Sequence, residues 1–169
     1  MLAGAGPAAC VPRLVKTVGL VDVGDSVPTL VDTEGERLRM RVDPGTHEVQ
    51  LAAMGGCTVQ VEGTAVGRVL QVDRYAVLDA GDGAAPFVGP LRAEQGMLVL
   101  YDRQGAGRLR LLNPEQGDLS ELAALVDQDI LLIGFVAAAQ GVVPVRWRGL
   151  GPVLPPTVAP TEPRQRAHR

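Results

Sequence analysis

A chain of 169 residues holds one ordinary domain or two small ones, and its longest apolar run, Ile130 to Ala139, falls short of the roughly 20 residues a membrane-spanning helix needs. Hydrophobic residues make up 46% but aromatics only 3%, so any core is built from Val, Leu and Ala, while 21 Gly and 13 Pro suit short strands and turns. A formal charge of −3 neither demands nor excludes a polyanionic partner, and Cys10 and Cys57 make no disulfide framework.

Residues 1–13 read as a flexible N-terminal segment. Met1 to Cys10 resembles the last part of a bacterial lipoprotein signal, with Ala8 and Ala9 preceding a lipidated cysteine, here Cys10. Pro7 departs from that pattern, and the basic and long apolar regions are missing. A start assigned too far downstream would account for their loss. A plain small-residue tail is the other reading. Lipidated Cys10 would place the chain in the cell envelope; an unmodified chain would be cytoplasmic.

Val15 to Val21 and Pro28 to Asp32 are short β-prone runs separated by Asp22, Gly24 and Asp25. Arg37 to Val42 alternates strictly, so Leu38, Met40 and Val42 share one face and Arg37, Arg39 and Arg41 the other. Asp43-Pro44-Gly45 breaks the strand. Val49, Leu51, Ala52 and Met54 then follow a helical spacing that Gly55-Gly56 stops. Val59 to Gly63 alternates again, and Arg68 to Leu78 is a longer strand ended by Asp79-Ala80-Gly81-Asp82-Gly83. That acidic turn has too few oxygens in series for a calcium loop and reads as a tight link.

The same order then recurs: Met97 to Asp102, Arg108 to Leu112, a helix from Ser120 to Leu125, Ile130 to Gly134, and Gly141 to Trp147. Asp118 and Glu121 form a capping box at the helix start. Val18-Gly19 returns 70 positions on as Val88-Gly89, and Arg37 to Met40 returns 71 positions on as Arg108 to Leu111. Leu51 to Met54 returns as Leu122 to Leu125, and Gly63 as Gly134. So long a period means two copies of one small domain, residues 14–80 and 81–150, rather than a solenoid. Residues 151–169 carry five prolines and three arginines and read as a disordered tail.

Three strands, a helix and two strands per copy, with an apolar helix, a glycine stop and a Val-x-Val-x-Gly strand at Leu51 to Gly63, resemble the OB-fold superfamily. The resemblance covers roughly residues 14 to 150 and implies an all-β protein with short helices. It would be two tandem five-stranded OB-like barrels of bacterial type, related by internal duplication. An SH3-like barrel is the rival, though it does not need the helix. OB domains bind nucleic acids, sugars or proteins, so the resemblance fixes no function.

Catalysis is not expected, because Ser26, Ser120, His47 and His168 fall at inequivalent places with no partner spacing, and no metal-ligand or cofactor motif occurs. The Arg stripe is the first candidate site. Arg37, Arg39 and Arg41 recur as Arg108 and Arg110, with Tyr101 nearby, and a duplicated row of guanidinium forks suits a polyanion. The scarcity of aromatics disfavours single-stranded nucleic acid. A solvated strand face with cross-strand ion pairs is the competing reading.

The second candidate is an interface. Gln60, Glu62 and Thr64 point away from the first core, and copy two places Leu131, Ile133 and Phe135 there. A face so apolar is expected to be covered, by the first domain or by another chain. Trp147, between Arg146 and Arg148, is expected to anchor the same seam, an exposed triplet binding sugars or anions being the other reading. The composite expectation is a non-catalytic binding or scaffolding protein. Its partner would be a protein, a second copy or an envelope polysaccharide, and the alternative is polyanion binding through the Arg faces.

Overall fold

The computed structural model describes residues 11–24, 27–42, 46–113, 118–137 and 141–153. The first half forms β1 (Arg13–Asp22), β2 (Thr29–Asp32), β3 (Arg37–Arg41), α1 (Thr46–Ala53), β4 (Thr58–Val66) and β5 (Val69–Asp79). The second forms β6 (Phe87–Glu94), β7 (Met97–Asp102), β8 (Gly107–Leu111), α2 (Ser120–Ala123), β9 (Gln128–Ala137) and β10 (Gly141–Pro152). Each half closes into a five-stranded barrel with one order, β1-β2-β3-β5-β4 and β6-β7-β8-β10-β9. In each the third and fifth strands run parallel, and the fourth pairs with the first to close the wall. Closure leaves no open sheet edge.

The duplication is visible in backbone detail. A Cβ on Gly19 would stand 2.5 Å from the Val31 carbonyl oxygen, and one on Gly89 would stand 1.9 Å from that of Tyr101, the residue equivalent to Val31. Both glycines let adjacent strands approach too closely for any side chain. Strand β5 bulges at Asp73 and Leu78 against β4, and β10 bulges at Val145 and Leu150 against β9. Bulges bend a strand sharply, and here they recur at equivalent places in both barrels.

The alternation of β3 does what its pattern implies: Leu38 and Met40 are buried while Arg37, Arg39 and Arg41 are exposed. Helix α1 starts at Thr46, earlier than the apolar spacing indicates, and its Leu51 lies wholly buried with Met54 just beyond its end, plugging the first barrel. Helix α2 stops after four residues, short of Leu125, because the chain turns to reach Asp127 at a φ of 68°. The expected capping box is absent. Asp118 instead accepts hydrogen bonds from the Ser120 amide (2.8 Å) and hydroxyl (2.7 Å), and Leu119 occupies the cap position. Strand β10 runs to Pro152 and so takes in the start of the segment expected as tail. Cys10 and residues 154–169 lie outside the described residues. No helix among the described residues is long and apolar enough to cross a membrane.

Candidate functional site

The two barrels meet through the outer face of β9. Leu131 is 3% exposed and belongs, with Val88 and Leu150, to the apolar cluster that forms the first barrel's core, and Ile133 packs at its margin. The faces diverge here because copy one carries ions where copy two carries aliphatics. Glu62 pairs with Lys16 and Arg74, both at 2.7 Å, and the Lys16 ammonium foremost holds the Glu62 carboxyl below its ordinary range. The seam is therefore head to tail, with different faces of the repeated unit in contact.

A polar node crosses the same seam. Gln50 on α1 and Asp129 on β9 are each 1% exposed. The Gln50 amide donates to Asp129 Oδ2 at 2.7 Å and to the Pro152 carbonyl at 3.3 Å. Arg103 reaches the same Asp129 oxygen at 2.8 Å, and the Tyr75 hydroxyl donates to Gln50 Oε1 at 2.8 Å. Buried polar groups joined in this way are costly to separate. Around the node, Gln104 accepts from the Val77 amide (2.6 Å) and donates to the Val77 carbonyl (3.1 Å). Arg148 donates to the carbonyls of Ala53 (2.9 Å) and Gly55 (3.1 Å), at the negative end of α1. The link between barrels is tied too: Asp79 accepts from the amides of Gly81, Asp82 and Gly83, and Asp82 pairs with Arg146.

Burial first, and the Asp129 carboxylate second, push the Tyr75 hydroxyl up to about 12. Unfolded tyrosine ionises near 10, so the stabilising contribution is complete below pH 10 and is lost as pH rises toward 12. The expected loss over that window is about 2 kcal/mol, somewhat below full conversion of the shift because the ring is partly exposed. Chemical denaturation at pH 9 and near pH 12 checks it, and Tyr75→Phe should remove that component.

Trp147 takes the place in β10 that Tyr75 takes in β5, opposite Leu132 as Tyr75 is opposite Val61. It packs on the second barrel's own core, while of its neighbours Arg146 reaches Asp82 in the link and Arg148 reaches Ala53 of the first barrel. The first barrel does not cover Phe135; at 72% exposure it continues the β9 outer face beyond the seam, and Val145 on β10 is 55% exposed. Sequence reasoning missed Gln50, Gln104, Asp129 and Arg103. A signal existed in the copies, since Asp129 stands where copy one has Thr58 and Gln50 where copy two has Glu121.

The Arg stripes separate into two kinds of residue. Arg37 pairs with Asp22, and Arg108 with Glu94 at 2.7 Å, each acid ending the first strand of its barrel. The Tyr101 hydroxyl also donates to Glu94, and that bond, ahead of Arg108, lowers the Glu94 carboxyl. Arg39, opposite Thr29 and beside Val69, Arg41, beside Gln71, and Arg110, opposite Val99, have no acidic partner among the described residues. Burial raises the Cys57 thiol, and no group of three or more His, Cys, Asp and Glu among the described residues could hold a metal ion. Comparison with protein families, curated proteins and solved structures finds no match to the chain.

Proposed function

We propose that the chain is a non-catalytic binding or scaffolding protein, two tandem barrels of the OB-fold superfamily held as one rigid platform for a protein partner or an envelope polymer. The 1-2-3-5-4 order, the parallel third and fifth strands and a helix closing the barrel between the third and fourth strands support the superfamily assignment. The observation that carries the function is the seam. A buried polar node and an apolar face spend the chain's most specific contacts on fixing one barrel against the other, which suits a platform with two fixed outer surfaces. The Ser120 hydroxyl is held by Asp118, and the Asp79 carboxylate by its turn.

Exposed Phe135 and Val145 favour a protein partner on the second barrel. A second reading, polyanion binding, draws on the exposed Arg39, Arg41 and Arg110, which have no acidic partner among the described residues. The test is a photoreactive phenylalanine at Phe135, irradiated in the native cells, followed by the intact mass of the recovered chain. A discrete protein adduct supports a protein partner, and a heterogeneous carbohydrate adduct supports an envelope polymer. A chain of unaltered mass contradicts both. The same spectrum shows whether the chain starts at a lipidated Cys10.

A further inference from the structure

Six of the twelve arginines among the described residues pair with an acid. Arg37, Arg74, Arg92, Arg103, Arg108 and Arg146 pair with Asp22, Glu62, Asp127, Asp129, Glu94 and Asp82 in turn. Of the six that have no acidic partner among the described residues, three stand together on the first barrel. Arg39 and Arg41 share the outer face of β3, two residues and thus about 7 Å apart. Arg68, in the turn between β4 and β5, is tied to the same spot, because its carbonyl accepts the Arg39 amide at 2.9 Å. Of the described acids around β3, Asp22 holds Arg37 and Asp32 accepts from the amides of Glu34 and Glu36, while Asp73, two residues beyond Gln71 on β5, forms no ion pair with the three arginines. Glu34 and Glu36 themselves lie at the opposite end of β3, next to Arg37.

The second barrel does not repeat the group. Arg110 matches Arg39, but Leu112 stands for Arg41, and the turn matching Arg68 carries no arginine. The patch is thus a property of the first barrel alone, not a stripe running across both.

Its neutral surroundings choose among polyanions. The residues paired with Arg39 and Arg41 on the neighbouring strands are Thr29, Val69 and Gln71, none of them an aromatic on which a base could stack. Gln71 offers an amide, and the Thr29 hydroxyl, which donates to the Val27 carbonyl at 3.2 Å, keeps its acceptor side for a sugar hydroxyl. Resting on the polymer reading above, we infer that Arg39, Arg41 and Arg68 form a binding site for an acidic polysaccharide, its carboxylates on the arginine forks and its hydroxyls on Thr29 and Gln71.

The test measures binding of the full chain to alginate and to an oligothymidylate between about 50 and 200 mM salt. The wild-type chain should bind alginate more tightly than the oligothymidylate. Arg39→Ala, Arg41→Ala and Arg68→Ala combined should weaken alginate binding by at least about tenfold at the lower salt and flatten its salt dependence. Arg37→Ala and Arg108→Ala, whose side chains are already paired, should each stay within about twofold of wild type. A triple variant that binds alginate undiminished, with an unchanged melting curve, overturns the patch and leaves the polymer reading standing. A wild-type chain that binds neither probe overturns both. Tighter binding to the oligothymidylate, lost in the triple variant, makes this a nucleic-acid site and overturns the polysaccharide assignment.

Discussion

Leu131→Gln combined with Ile133→Glu unlocks the two barrels. Leu131 sits at 3% exposure within the first barrel's apolar cluster, so an amide there is buried against aliphatic side chains with no partner placed for it. Ile133 packs at the rim of that cluster, where a carboxylate is partly hydrated and costs less. Lost apolar contact and unpaired polarity together should remove about 4–6 kcal/mol of stability. That is a large share of the 5–15 kcal/mol of an ordinary domain. The inward residues of β9, Ile130 and Leu132, belong to the second barrel's own core and are untouched, so the barrel walls should survive. Far-ultraviolet circular dichroism should keep its β signature while the melting temperature falls and the scattering radius grows. An unaltered radius and melting curve would mean that the aliphatic face adds nothing to the packing of the barrels.

Removing the Asp129 carboxylate has the second largest effect. Asp129→Ala leaves the buried Gln50 amide and the Arg103 guanidinium without their shared acceptor. Breaking a fully buried pair costs about 3–5 kcal/mol, and the Arg103 side chain, 43% exposed, can rehydrate, so about 3 kcal/mol is expected. Asp129→Asn keeps one acceptor oxygen and should cost roughly half as much. The double variant Gln50→Ala with Asp129→Ala should be less destabilised than the two singles added together, because the groups share a hydrogen bond. Strict additivity of the singles in urea denaturation would sink the idea that they act as one node.

The barrels were legible in the sequence because their signals are local. Strict alternation at Arg37 to Arg41 placed Leu38 and Met40 inside and three arginines outside, and comparison of the copies pointed to Leu131 as a divergent outer position. The recurrence of Gly19 as Gly89 marked the repeat, and the folded chain shows both at strand approaches that any Cβ would block. The boundaries were less legible. Strand β9 runs on to Ala137 because β10 pairs with it along that whole stretch, a cross-strand cause that its own residues do not display. The packing of Trp147 on the second core was not legible, because an Arg-Trp-Arg triplet at a strand end does not show which way the ring points, and the bulge at Val145 sets the register there. The polar node was invisible for a simpler reason: Gln50 and Asp129 are 79 residues apart, and neither belongs to a pattern. Only the folded chain shows which outward arginines have acids and which do not.

The claim on which the account rests is that the β9 face and the Gln50–Asp129–Arg103 node make one rigid body of two barrels. Residual dipolar couplings of backbone amides, measured for both barrels in one weakly aligned sample, test it most directly. A single alignment tensor that fits β1–β5 and β6–β10 together is the expected result. Two tensors of different magnitude or orientation would show barrels moving independently and contradict the claim.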